Sequence, residues 1–276
     1  MSVDPAKLGA LAHLSTRRSF LRGAGLGALA LGAPGLLSAC GTESQVQSAD
    51  TCRSRDLSAQ QKKLVFSNWP EYIDVKGKSM PTLAAFEKQT GIDVTYNTDI
   101  NANDEFFGKV KDQLGGCEPI GRDIITLTDW MAARMIDLGW IQKLDHANLP
   151  NVDAHLAGGL KSPSWDKNRD YSVPWQSGLT GIAYNAKYTG VVSSFEELVT
   201  RADLKGKISL LTEMGDTMLF MLLIEGADPE DFTQEEWDKA VGRLEDVVGS
   251  GQVRRFTGND YIRDLNAGNV VACEAW

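Results

Sequence analysis

Residues 64–72 read Leu-Val-Phe-Ser-Asn-Trp-Pro-Glu-Tyr, and the fold turns on how this stretch is read. Leu64, Val65 and Phe66 make a short apolar run with the length and bulk of a buried strand. The run stops at Ser67 and Asn68, and Pro70, which lacks a backbone N–H, cannot extend a ladder. Beyond the break stand Trp69, Glu71 and Tyr72: two large rings and a carboxylate at one strand tip. In an open α/β sheet, ligands bind in the crevice beyond the carboxyl ends of the strands. A ligand held here would meet aromatic faces and negative charge, a setting suited to an organic cation. The plainer alternative is a strand end whose Trp packs on a helix, and these residues alone leave both open.

Outward from that strand, helix and strand alternate. Residues 80–89 have helical spacing, with Leu83 and Phe86 on one face and Thr90-Gly91 as the stop. Residues 92–96 alternate as a strand. Asn103 and Asp104 open a helix over 105–114, stopped by Gly115-Gly116. A strand over 123–127 follows, with Thr128, Asp129 and Trp130 at its turn, then a helix over 131–138 ending at Gly139. The order βαβαβα predicts a parallel sheet with helical crossovers. Residues 140–149 read as a short connection, and the polar stretch that follows reads as a loop to Arg169. The extended, apolar chain between Gly178 and Asn185 suits a crossing between lobes. Trp175 beside it reads as hinge packing more readily than as a ligand wall.

The second half predicts a helix over 195–201, a strand over 208–211 and a helix from about 216 to 225. A further helix over 234–248 carries Trp237, Val241, Leu244 and Val248 on one face. A short helix over 261–267 and a strand over 270–276 complete the pattern. Trp237 and the 218–221 stretch read as core. Tyr261, with Asn259 and Asp260 before it, either faces a cleft or simply begins a capped helix. A length of 276 residues favours two lobes over one core, and a chain that stops mid-strand at Trp276 predicts a fragment.

The first 39 residues read as a leader, apart from the fold. Arg17 and Arg18, followed by Ser19, Phe20 and Leu21, resemble the twin-arginine export signal, which implies export after folding. The Gly- and Ala-rich run 23–37 is too short for a membrane span. It closes on Leu37-Ser38-Ala39-Cys40, which is similar to a bacterial lipobox and implies cleavage before Cys40 and lipid attachment to it. Residues 40–61 are polar and read as a tether. With Cys40 lipidated, Cys52, Cys117 and Cys273 remain. Cys52 and Cys117 each precede a predicted strand, so parallel neighbours would bring both to the amino-terminal edge of the sheet and favour a disulfide between them. Cys273, inside an apolar run, reads as a buried free thiol.

Composition is that of a globular chain, 42% hydrophobic and 24% charged. The net charge of −9 becomes about −12 once the leader, with Lys7, Arg17, Arg18 and Arg22 against Asp4, is removed. Such a chain lacks the basic footprint that nucleic acid or anionic lipid requires, and its field weakly favours cations. Catalytic chemistry is thin. Of three histidines, His13 lies in the leader, and His146 and His155 fall in connections without a nucleophile or metal-ligand neighbour. No P-loop, G-x-S-x-G or H-E-x-x-H motif occurs, and Glu235-Glu236 falls on a polar helix face. The expectation is a protein that is not an enzyme and uses no cofactor or metal.

Taken together, residues 64–72, 86–94 (FEKQTGIDV), 121–135 (GRDIITLTDWMAARM), 170–184 (DYSVPWQSGLTGIAY), 204–213 (LKGKISLLTE) and 268–276 resemble the solute-binding lipoproteins of polyamine ABC transporters, the spermidine/putrescine-binding family. The resemblance implies a two-lobe, type II periplasmic-binding-protein-like α/β fold, each lobe a mainly parallel sheet flanked by helices. Residues 62–178 would form the first lobe and 179–276 the second. Family members are longer and cross back to the first lobe just past the position of Trp276, so this sequence lacks that returning segment. The family's ligand-packing Trp and Tyr fall on Trp69 and Tyr72, with Glu71 between them. A small hydroxyl residue and an aromatic fall on Thr128 and Trp130, and a late Trp falls on Trp276. At the aligned positions of the family's acidic pair stand Met214 and Thr217. Glu213 and Asp216, spaced alike, lie one residue earlier, and one residue turns a helix by about 100°. They serve either as ammonium partners or merely as complements to a helix dipole. The resemblance implies a monomeric, exported receptor that closes over a polyamine and delivers it to ABC permease subunits. It would be anchored through Cys40 at the outer face of the cytoplasmic membrane or held in the periplasm. The departure at Met214 and Thr217 keeps open a receptor for another small amine or cationic solute. An anchored sensor or scaffold without a transport role is the reading from a different class.

Overall fold

The computed structural model describes residues 56–276. The leader, Cys40 and Cys52 lie outside them.

Strand β1 (Lys63–Ser67) sits between β2 (Asp93–Asn97) and β3 (Ile124–Ile125), and both pairings are parallel. The predicted parallel sheet is therefore present, with the tip of its central strand at Asn68 and Trp69. The crossovers are α1 (Pro81–Thr90) and α2 (Asn103–Gly115), and α3 (Asp129–Asp137) follows β3. Proline at the first position of α1 and Gly91 at its C-cap, with φ of 69°, set that helix's bounds. From α2 come Phe106 and Val110, and from α3 Met131 and Met135; all four are buried and pack with Trp69 and Ile100. Each such side chain contributes about 1.5–3 kcal/mol of burial. Helix α1 adds little, because it has no buried residue and Phe86, expected on its inner face, is 40% exposed.

A second sheet has the order β4 (Gly181–Tyr184), β7 (Ala272–Ala275), β5 (Ile208–Leu211), β6 (Val253–Thr257). Only β4 with β7 runs antiparallel. One face is covered by α5 (Phe195–Thr200), α6 (Met214–Ile224) and α7 (Gln234–Gly249), around Leu198, Leu204, Ile208, Leu210 and Met221. The other carries α8 (Asp260–Ala267), whose Tyr261 packs with Leu211, Val270, Cys273 and Ala275. A capping box between Thr233 and Glu236 fixes the start of α7. Cys273 is buried and free, as its apolar setting predicted.

Several local expectations are corrected. Strand β6 has no counterpart in the sequence reading, because its middle residues, Arg254 to Phe256, are exposed on an edge strand and make no apolar run. The extended chain expected at 178–185 contains β4, an edge strand held by antiparallel pairing to β7. Helix α6 begins at Met214, two residues early, because Glu213 is its extended N-cap. The inner face of α7 centres on Ala240 and Val247, which leaves Val248 42% exposed. A short helix, α4 (Pro150–His155), starts at a proline inside the predicted loop.

The loop after β2 meets the loop after β6. Asn259 N–H donates to Asn101 Oδ1 at 3.1 Å, and Asn101 Nδ2 donates to Asp260 Oδ2 at 3.1 Å. Between them Gly258 is packed so closely that a Cβ there would lie 2.0 Å from the Asn101 carbonyl oxygen. Backbone oxygen cannot yield as a flexible side chain can. Gly258→Ala is therefore expected to lower stability by roughly 1–3 kcal/mol, read as a fall in the urea midpoint at unchanged slope. A wild-type midpoint would show that the two loops part without cost.

Candidate functional site

The turn after β1 carries the first part of the site. Trp69 is 2% exposed, and its indole N–H donates to the Thr126 carbonyl at 3.0 Å. Its ring stacks on Tyr72 (centroids 6.2 Å, 29°) and meets the edge of Trp276 (5.5 Å, 80°). Trp69 thus backs the aromatic wall from behind. Tyr261 touches Trp276 edge-on, and its hydroxyl donates to the Trp276 carbonyl at 3.0 Å. Glu71 holds a left-handed backbone, φ 63°, which a residue other than glycine adopts at a cost of order 1 kcal/mol. A cavity of about 210 Å³ lies among these groups, lined by Pro70, Glu71, Tyr72, Gln176, Ser177, Gly178, Asn259, Tyr261, Ile262 and Trp276. Burial raises the Tyr72 hydroxyl above its ordinary range, opposed by its hydrogen bond with Gln176.

The carboxylates sit at the start of α6. Glu213 is buried and accepts from Asn103 Nδ2 at 2.6 Å and from the Trp130 indole N–H. Asn103 also donates to Thr128 Oγ1 at 2.8 Å and accepts the Thr128 N–H at 3.2 Å. Asp216 accepts the Trp276 indole N–H at 2.6 Å. Desolvation pushes Glu213 above the usual carboxylate range, and the Asn103 and Trp130 hydrogen bonds only partly offset it.

The eight expected site residues therefore fall into two adjoining groups. Glu71, Tyr72 and Trp276 line the cavity, with Trp69 behind them and Asp216 fixed to Trp276. Thr128, Trp130 and Glu213 form the second group around Asn103. Asn103 was readable only as a helix start, and nothing local announces that its amide reaches Glu213, 110 positions away. Gln176 carried no signal. Glu274 did: it is a lone acid inside the otherwise apolar strand β7.

Glu274 is fully buried. Its Oε2 accepts the Leu211 N–H at 2.9 Å and lies 2.7 Å from Thr217 Oγ1, while Oε1 is buried without a partner. Burial above all, with Asp216 and Glu213 nearby, pushes its carboxyl up to about 7. Cys117 is disulfide-bonded, and its expected partner Cys52 lies outside the described residues. Among the described residues no group of His, Cys, Asp and Glu is arranged for a metal ion, and no helix is long and apolar enough to cross a membrane.

A family model described as bacterial extracellular solute-binding protein matches residues 82–276. The chain belongs to this family. It is 27% identical over 236 residues to the putrescine-binding periplasmic protein PotF of Escherichia coli (strain K12), covering 80% of this chain and 60% of that protein. Spermidine/putrescine-binding periplasmic protein 1 of Haemophilus influenzae is 30% identical over 167 residues, 58% of this chain and 42% of its own length. Among solved structures, the Tp0655 (TpPotD) lipoprotein of Treponema pallidum superposes with a TM-score of 0.61 at 23% identity, covering 78% of this chain and 63% of that one. The fold is shared with that structure, and the chain spans 42–60% of the length of these two curated relatives.

Glu274 gives stability a pH dependence of definite sign. Its value rises from the ordinary 4.5 to about 7 on folding, so the folded state holds a proton that the unfolded chain releases. That contribution is complete below 4.5 and is lost as pH rises through about 7; its size is on the order of 3 kcal/mol. Thermal unfolding should move to lower temperature as pH is raised across that range, and Glu274→Gln should flatten the trend. Parallel curves for the two proteins would rule the assignment out.

Proposed function

We propose that the protein is an extracytoplasmic receptor that captures a small organic amine, a polyamine such as putrescine or spermidine, and hands it to the permease of an ABC importer. One observation carries this reading. Aromatic groups from the first sheet, Tyr72 backed by Trp69, and from the second, Trp276 and Tyr261, converge on one cavity with Glu71 at its rim and Asp216 bound to Trp276. Rings of this kind stack on alkyl chain and attract ammonium through their faces, and carboxylates supply paired charge. The chemistry required is binding and release, with no bond made or broken, so the protein acts as a receptor and not as an enzyme. The relatives' names, a putrescine-binding and a spermidine/putrescine-binding periplasmic protein, point the same way.

In this reading Trp69, Glu71, Tyr72 and Trp276 form the aromatic side of the site. Glu213 and Asp216 exchange their indole donors for ligand ammonium groups, and Thr128 and Trp130 frame the opposite wall. Residues 62–178 and 179–276 act as two lobes that close over the ligand, excluding water and strengthening each charged contact. The permease would read the closed form as a population shift. The leader 1–39 would direct twin-arginine export and Cys40 would carry the lipid anchor, with 40–61 as tether and a Cys52–Cys117 disulfide at the base of the first sheet. The receptor would act as a monomer, without nucleic acid. A second reading, another small cationic solute, is favoured by Thr217 and Met214 standing where the family pattern has acids.

Calorimetric titration of putrescine and spermidine into the purified protein tests the proposal. Binding should appear, and Tyr72→Ala or Trp276→Ala should weaken it about 2- to 30-fold, the range that 0.5–2 kcal/mol of cation–π attraction implies. No heat up to millimolar ligand would overturn the polyamine reading.

A further inference from the structure

Glu274 occupies the point where β7 and β5 part. Their ladder pairs Ile208 with Ala272 and Ser209 with Cys273 and goes no further. Beyond it the Glu274 side chain replaces the ladder by accepting the Leu211 N–H at 2.9 Å. Thr217 Oγ1 then stands 2.7 Å from the same carboxyl oxygen and 3.1 Å from the Leu211 carbonyl. A hydroxyl has one hydrogen and cannot donate to both acceptors. Both contacts are satisfied if Glu274 carries the proton, donating to Thr217 Oγ1 while Thr217 donates to the Leu211 carbonyl. The other carboxyl oxygen, Oε1, is buried and has no partner, a state far cheaper for a neutral acid than for an ion.

The groups that face this carboxyl supply no positive charge. Asp216 and Glu213 bear on it from the start of α6, both of them acids. The Cys273 thiol lies beside it on β7, itself pushed up to about 12, chiefly by burial. Opposite on β4 is Ile182. The geometry thus holds a third acidic group near Asp216 and Glu213 at the start of α6, and no cation is among the groups that bear on it.

We propose that Glu274 is a proton-exchanging specificity residue of the amine site, neutral while the site is empty and ionised when an ammonium group enters beside Asp216. The step breaks the carboxyl O–H bond and sends its proton to bulk buffer. The Thr217 hydrogen then swings from the Leu211 carbonyl to the carboxylate, and the ligand keeps its own protons. The site gains one negative charge as its cation arrives, which favours ligands of higher charge over monoamines. A carboxyl that titrates at about 7 is poised for this exchange near neutral pH. The proposal rests on the reading of the site as an amine receptor.

Titration of putrescine into the full chain between about pH 6 and about pH 8, in buffers of different ionisation heat, tests it. Affinity should rise by up to tenfold per pH unit, and the heat should depend on the buffer because a proton is released. Glu274→Gln, which mimics the neutral acid, should lose both effects. Infrared difference spectra of wild type against this variant should show a protonated carboxyl band in the ligand-free protein that disappears when putrescine is added. Binding without proton release, or an ionised Glu274 in the ligand-free protein at about pH 6, overturns the coupling and leaves the receptor reading intact. Absence of heat with putrescine and spermidine alike overturns the receptor reading, and the coupling with it.

Discussion

The desolvated carboxylate of Glu213 is the constraint on which the arrangement of the two sheets depends. A buried acid must find donors or lose its charge, and the donors here come from the other sheet, the Asn103 amide and the Trp130 indole. Their own positions follow from the first sheet's parallel order. Asn103 begins α2 after β2, and Trp130 lies in the first turn of α3 after β3. Asp216 is satisfied in the same way by the Trp276 indole. The protein thus answers its acids with neutral N–H donors, which hold the carboxylates without cancelling their charge. An ammonium group makes stronger, charge-assisted bonds and can take over from them.

The first half of this design is legible in the sequence. The strand at 64–66, its break at Pro70 and the rings after it mark one wall in the sequence itself, because apolar runs and proline chemistry are local. The second half is written across distance. Asn103 looks like any residue at a helix start, and β6 hides its strand character behind exposed Arg254 and Arg255. The start of α6 shows how register matters: with Glu213 as N-cap and Asp216 in the first turn, the two acids meet Trp130 and Trp276. Glu274 stands out locally only as a single acid within an apolar strand. Nothing local says that this acid reaches Leu211 and Thr217, more than fifty positions away.

Burial sorts the aromatic residues by task. Trp69 is held by a backbone carbonyl and is shut from solvent, so it fixes the tilt of Tyr72 and Trp276. Those two, with Tyr261, keep a face on the cavity. Trp175 is exposed, packs edge-on against Phe66 and ties its indole N–H to the Tyr72 carbonyl at 2.8 Å, joining the connecting chain to the site wall. An inner ring fixed by its own hydrogen bond holds the outer ones in place, a preorganised arrangement.

The left-handed backbone of Glu71 has an evolutionary consequence. Glycine fits that conformation without steric cost, so the change most compatible with the turn is also one that erases the carboxylate from the cavity rim. Mutational drift to glycine would relieve the backbone and remove the rim carboxylate in one step, so strain and rim charge at position 71 pull in opposite directions.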